Sequence, residues 1–131
     1  MRYLLDTDTC IDLLRGVSTV VRHAAAHSPD DCAVSSVTVY ELLTGACKCR
    51  FPEAERRKVA ALVDALHQLP FDQPAAERTA EVRATLEKSG TTIGPYDVML
   101  AGQALAAGIA LVTSNDAEFS RVPDLNTLNW H

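Results

Sequence analysis

The chain opens on a short apolar run, Tyr3-Leu4-Leu5, that stops at two aspartates one residue apart, Asp6 and Asp8. The run is too short for a helix and does not alternate with polar residues. It therefore reads as a strand, Arg2–Leu5, covered on both faces, which is the habit of parallel sheets flanked by helices. In such sheets sites form beyond the carboxyl ends of the strands. Asp6 stands at that edge.

The rest of the chain repeats the theme. Cys32–Ser35 and Ile109–Val112 are two further apolar runs, each closed by polar turn residues. Between them lie helical patterns. A short helix over Cys10–Arg15, capped by Asp8 or Thr9, stops at Gly16. A second runs from Ser18 or Thr19 through Ala26. Ser36 or Thr38 opens a third, with Val39, Leu42, Leu43 and Ala46 at helical spacing. Glu53–His67 carries the apolar stripe Val59, Leu62, Val63 and Leu66. Leu69-Pro70-Phe71 is at most a brief edge strand, because Pro cannot donate to a ladder. Pro74 begins a helix that ends at Gly90. Gly94-Pro95-Tyr96-Asp97 begins another that runs to Ala107. Ala117–Arg121 is a helical turn, and Leu125–Trp130 a last edge strand. Strands alternating with helices predict an α/β fold with a mainly parallel sheet, in one domain over residues 1–131.

Composition narrows the function classes. Seventeen acids against twelve Lys and Arg give a net charge of −5, which argues against nonspecific nucleic-acid binding by phosphate neutralisation. No apolar run approaches the ~20 residues that a membrane-spanning helix needs. The beginning of the chain has no basic segment followed by a long apolar one, so no secretory signal is expected. The four cysteines, Cys10, Cys32, Cys47 and Cys49, form no C-x-x-C pair and suit mostly buried thiols in a reducing cytoplasm.

Acids fall after the first strand (Asp6, Asp8), in the helix after the second (Glu41), at a helix start (Asp97) and after the late strand (Asn115-Asp116). Parallel strand ends point one way, so these positions can share a rim. Two carboxylates ~4 Å apart repel by about 1 kcal/mol in water and about 4 at an effective dielectric of 20. A cleft with several of them must take up protons or a cation. Oxygen ligands select Mg²⁺ or Mn²⁺ over zinc. Each acid also has a purely structural reading. Asp6, Asp8, Asn115 and Asp116 suit turns and caps. Thr38-x-x-Glu41 has capping-box spacing. Asp97 complements a helix dipole.

Read together, these pieces have a familiar order. Tyr3-Leu4-Leu5-Asp6-Thr7, Ser35-Ser36-Val37-Thr38-Val39-Tyr40-Glu41-Leu42, Ile93-Gly94-Pro95-Tyr96-Asp97 and Leu111-Val112-Thr113-Ser114-Asn115-Asp116-Ala117-Glu118-Phe119 resemble the PIN-domain ribonucleases. Within them the chain is similar to the VapC-type toxins of bacterial toxin–antitoxin pairs. The resemblance runs almost end to end and includes Val122-Pro123 and Asn129-Trp130.

The resemblance implies a three-layer α/β/α fold with a five-stranded sheet. It implies Mg²⁺-dependent endonucleolytic cleavage of RNA, with tRNA as the family-level substrate, by a metal-activated water. It also implies a homodimer and neutralisation by a cognate antitoxin in a hetero-oligomer. Asp6, Glu41 and Asp97 match the family's acids. Asp6 and Asp97 would coordinate the ion, and Glu41 would act through water. The fourth position is Asp116 or Asn115. Asp8, Thr113 and Ser114 would support this shell, and Arg15, Lys48 and Arg50 are candidates for RNA contact.

Two rivals follow from the same residues. Leu5-Asp6-Thr7-Asp8-Thr9 also fits the D-x-D-x-T of haloacid-dehalogenase-type phosphatases, with Asp6 as a covalent nucleophile. That chemistry needs a downstream lysine, and no Lys follows Lys88. A catalytically silent PIN module would keep the sheet without the chemistry. His23 and His27, four residues apart, lack a third ligand and suit packing. Tyr40, Phe51, Leu62 and Leu66 suit the core or a partner groove.

Overall fold

The computed structural model describes all residues 1–131. Five parallel strands, β1 (Tyr3–Leu5), β2 (Cys32–Ser35), β3 (His67–Leu69), β4 (Ala110–Val112) and β5 (Thr127–Leu128), form one sheet in the order β3-β2-β1-β4-β5. Seven helices connect them: α1 (Thr7–Leu14), α2 (Ser18–Ala25), α3 (Ser36–Lys48), α4 (Pro52–Ala65), α5 (Gln73–Ser89), α6 (Pro95–Ala107) and α7 (Asp116–Phe119). A 3-10 turn at Pro29–Asp31 leads into β2.

The pleat sorts the core into two layers. Leu4, Ala33 and Leu111 face one side, where Val82 and Leu86 of α5 and Leu100, Ala101 and Ala104 of α6 cover them. Tyr3, Leu5, Val34 and Val112 face the other, beneath Cys10 of α1, Leu42 of α3, and Val59 and Val63 of α4. Burial on both faces explains why the central strands read as unbroken apolar runs. Helices α5 and α6 pack tightly. A Cβ on Gly102 would stand 2.7 Å from the Cα of Thr79, so only glycine permits the approach.

Local boundaries differ from the sequence reading where a side chain found a better partner. Asp6 itself, not Asp8 or Thr9, caps α1, accepting the Thr9 N–H at 2.8 Å. Ser35, not Ser36 or Thr38, caps α3 through the Val37 N–H at 3.0 Å. The last apolar stretch of α4 gives way sooner than expected, because His67–Leu69 pairs with β2 as the edge strand. Two of the four thiols, Cys47 and Cys49, are exposed at the end of α3 rather than buried. His23 and His27 both stack on the Trp130 ring, at 6.1 and 5.3 Å between centroids. No helix is long and apolar enough to cross a membrane.

Candidate active site

Strand order reverses beside β1: the chain first builds outward through β2 and β3, then returns to place β4 on the other side of β1. Such a switch opens a crevice at the carboxyl ends of the two strands. Asp6 lies in it. Its backbone N–H donates to the Val112 carbonyl at 3.0 Å, which ties the end of β1 to that of β4. The Thr9 hydroxyl donates to the same carbonyl at 3.2 Å.

Asp6 is 4% exposed. Burial pushes its pKa up, while hydrogen bonds from the Thr113 hydroxyl and from Thr9 pull it down, and the Asp8 charge raises it again. Thr113 is fully buried and also accepts the Asn115 N–H at 3.0 Å, so it joins Asp6 to the loop after β4.

Glu41 enters from α3. Thr7, in the first turn of α1, donates its hydroxyl to Glu41 Oε1 at 2.7 Å. The Thr7 hydroxyl also lies 3.0 Å from that of Thr38, which is fully buried. A Thr38–Glu41 capping box does not form, because both side chains turn to α1 instead.

Asp97 enters from the first turn of α6. Its pKa is pushed up to about 7 by burial first, then by the charges of Glu118, Asp6 and Glu41 and a hydrogen bond with Glu118. No lysine or arginine is among the groups acting on it. The half-buried Glu118 is anchored at both oxygens. Oε1 accepts the Gly94 N–H at 2.7 Å, and Oε2 accepts the Asn115 side-chain amide at 2.5 Å. A Cβ on Gly94 would come within 3.3 Å of Asp97 Oδ2 and 3.6 Å of Glu118 Oε1, so the glycine leaves room for the paired acids.

Three acids, Asp6, Glu41 and Glu118, thus act by charge on a fourth, Asp97. Glu118 is not among the residues that the sequence pattern points to, which for the fourth acid are Asp116 and Asn115. Asp116 is exposed and is not among the charges acting on Asp97. The reason is helical geometry, since two residues along α7 turn a side chain to the opposite face. Asn115 and Glu118, three apart, share a side. The signal was present in Phe119, whose burial fixes which way this short helix faces.

The remaining candidates are scattered. Asp8 is exposed on α1 and Ser114 is exposed beside the loop. Arg15 lines a groove of about 500 Å³ that runs from Glu41 between α1, α3 and α4, with Ile11, Leu42 and Val59 on its walls. Lys48 and Arg50 are exposed beyond it, the Arg50 guanidinium lying over the Phe51 ring.

A parallel sheet in this order with acids at its switch point defines a class of fold, and the family model for the PIN domain matches residues 3–125. The tRNA(fMet)-specific endonuclease VapC of Salmonella typhimurium is 35% identical over 130 residues, covering 99% of this chain and 98% of that protein. Ribonuclease VapC2 of Haemophilus influenzae is 33% identical over 133 residues, with the same coverage. In three dimensions the chain matches DNA-bound VapBC from Salmonella typhimurium with a TM-score of 0.95 and 34% identity over 100% of this chain and 99% of that one. VapBC2 from Rickettsia felis, bound to a promoter DNA fragment, gives 0.93 and 28% over the whole of both chains. The chain belongs to the PIN-domain family and, within it, to the VapC proteins. The phosphatase alternative falls with that assignment.

Proposed function

We propose that this protein is a divalent-metal-dependent endoribonuclease, the toxin of a toxin–antitoxin pair, with tRNA as its substrate. The observation that carries the reading is the gathering of Asp6, Glu41, Asp97 and Glu118 at the switch point, with no lysine or arginine among the charges that act on Asp97. The names of the similar proteins, endonuclease and ribonuclease VapC, point the same way.

The donor set suits a hard ion. Every candidate ligand is an oxygen, from Asp6, Glu41, Asp97, Glu118 or the Asn115 amide, which favours Mg²⁺ with Mn²⁺ as a substitute. As the side chains lie, no three acids stand close enough together to hold an ion, so an ion here would be held directly by one or two carboxylates and would keep several waters. Asp6 and Asp97 would hold it, with Glu41 acting through water, and Glu118 with Asn115 takes the fourth place in preference to Asp116. Bound there, the ion would offset the carboxylate charge and lower the pKa of a coordinated water.

The chain's own groups would do the rest. Thr7 holds Glu41 in position to accept a proton from the attacking water. That water would add to phosphorus as the bond to the leaving ribose oxygen breaks, the departing oxygen would take a proton from a solvent water, and Glu41 would return its proton to solvent. Thr9 and Thr113 fix Asp6, and the Gly94 N–H fixes Glu118. The remaining parts of the reading are a single domain over 1–131, a cytoplasmic location, a homodimer, and a cognate antitoxin seated in the groove beside Glu41. The structural relatives being VapBC supports the antitoxin.

The test is purified protein with total tRNA. Discrete fragments should appear with Mg²⁺, vanish with EDTA and return with excess Mg²⁺ or Mn²⁺. Cleavage indifferent to EDTA would overturn the metal chemistry, and no cleavage under any of these conditions would overturn the ribonuclease reading.

A further inference from the structure

The acid pocket has an aromatic lip that neither the fold nor the carboxylate chemistry requires. Tyr40 precedes Glu41 on α3, and Tyr96 precedes Asp97 on α6. The two rings meet across the gap between the helices. Their centroids are 5.6 Å apart at an interplanar angle of 72°, and their hydroxyls are 3.1 Å apart. Yet 53% of Tyr40 and 39% of Tyr96 remain exposed. Large aromatic rings held rigid while facing water, one residue from two site acids, ask for a ligand.

We infer that the Tyr40–Tyr96 pair is a stacking platform for an unpaired base of the RNA, beside the phosphate that is cut. This rests on the ribonuclease reading and names the side chains that would hold an unpaired nucleotide at the cleavage site.

Three features favour a base as the occupant. First, the rings meet edge to face, which takes an edge of one ring and a face of the other, and each tyrosine keeps a large exposed surface on which a ring face can be reached. A splayed base stacks on such a face, whereas a base inside a duplex is covered by its own neighbours. Second, the lip is uncharged. Asp6, Glu41, Asp97 and Glu118 repel a polyanion until a cation is present, so affinity beside them cannot come from more carboxylates. Stacking supplies it without charge and is tolerant of base identity, because every base has a π face. Third, the two phenols are hydrogen-bonded to each other, which fixes the platform before substrate arrives. Less side-chain entropy is then lost on binding.

Tyr40 and Tyr96 would therefore be positioning residues. They would hold the nucleotide so that its phosphate sits over the acids. Their loss should weaken binding of single-stranded RNA and leave the chemical step nearly intact.

The test uses the full-length protein carrying Asp97→Asn, to prevent cutting, with Mg²⁺ and a labelled mixed-sequence single-stranded RNA 12-mer or the same strand annealed to its complement. Tyr40→Leu and Tyr96→Leu should each raise the Kd for the single strand about tenfold, a typical loss for one stacked base. Tyr40→Phe and Tyr96→Phe should stay within about twofold of the parent, and duplex affinity should not change. In the otherwise native protein the Leu variants should raise KM by a similar factor with kcat within about twofold.

The inference is overturned if Leu variants of unchanged melting temperature bind the single strand as the parent does. It is also overturned if Phe costs as much as Leu, since the hydroxyls rather than the rings would then matter. A shift of the Leu variants to a smaller species in sedimentation would assign the pair to a subunit contact and overturn it equally. Failure of the native protein to cut RNA would remove the ribonuclease reading and this one with it. Cutting with unaltered Leu variants would remove only the platform.

Discussion

Two buried polar groups sit at the same carboxyl edge of the sheet, and they are built on opposite principles. Over β2 and β3, the Ser35 hydroxyl donates to Gln103 Oε1 at 2.5 Å, and Gln103 Nε2 donates to the Leu69 carbonyl at 3.2 Å. Ser35 and Gln103 are 0% and 1% exposed. This knot is neutral, and its principal donors and acceptors meet within the protein. Over β1 and β4, each acid also has partners, yet the sum of their charges is unmatched, and Asp97 shows it by its raised pKa. Burial of polar groups is thus no sign of function by itself. Burial with charge left over is.

The sharpest way to break this contrast is Asp97→Asn. RNA cleavage should fall by about a thousandfold or more, while melting in EDTA stays the same or rises, because the change relieves repulsion at the pocket. A collapse of the fold would mean that Asp97 is structural, like Gln103.

Glu118→Gln tests the membership of the pocket. It keeps the planar shape and one accepting oxygen but removes a charge and one of the two accepted hydrogen bonds, and should slow cleavage about a hundredfold. Asp116→Asn, at the exposed start of α7, should change it by less than about threefold. Equal losses would return the fourth place to the helix cap.

The neutral knot should answer in the other currency. Gln103→Ala strands the Ser35 hydroxyl and the Leu69 carbonyl and leaves a void, at a cost of about 2–3 kcal/mol. Melting should drop by roughly 6–9 °C for a chain of this size. Activity per folded molecule should hold.

Much of this division was legible in the residues themselves. The unbroken runs Tyr3–Leu5 and Ala110–Val112 announced strands covered on both sides, and Asp6, Glu41 and Asp97 stood at the points where such strands and helices turn. What pattern could not supply was rotation about a short helix. Asn115-Asp116-Ala117-Glu118 contains two acids, and only the burial of Phe119 says which one faces inward. Nor could spacing separate a capping box from a tether. Thr38 and Glu41 have the right separation, but Thr7, more than thirty residues earlier, competes for both. Strand β3 lies two residues before Leu69–Phe71 for a related reason: its register is set by pairing to β2, and its own residues His67-Gln68-Leu69 carry little strand pattern.

Proton uptake offers a milder test of the same contrast. The pKa of Asp97 is raised in the folded protein, from an ordinary value near 3.8 to about 7. The folded state therefore holds a proton that the unfolded state releases as pH passes the ordinary carboxylate range. Its contribution to stability is complete below that range and is lost as pH rises toward 7. In EDTA, stability should decline between pH 4 and 8 by about 2 kcal/mol, after allowance for the site's access to water. Mg²⁺ should flatten the decline, and Asp97→Asn should remove most of it. Gln103→Ala lowers the whole curve without changing its slope, because the knot does not titrate.

The smallest effect expected is at Thr7. Its hydroxyl holds Glu41 at 2.7 Å and meets the buried Thr38 hydroxyl at 3.0 Å, so it belongs to both kinds of polar group. Thr7→Val keeps the shape and the β-branch but frees Glu41 and leaves the Thr38 hydroxyl without this partner. Stability should fall by about 1 kcal/mol, the worth of one such bond. Cleavage should fall severalfold, through kcat rather than KM, since Glu41 would remain present but less fixed. Thr7→Ser should restore both. If Thr7→Val lowers stability and leaves kcat alone, the tether serves only to join α1 to α3, and the boundary between the neutral knot and the charged pocket lies on the Glu41 side of Thr7.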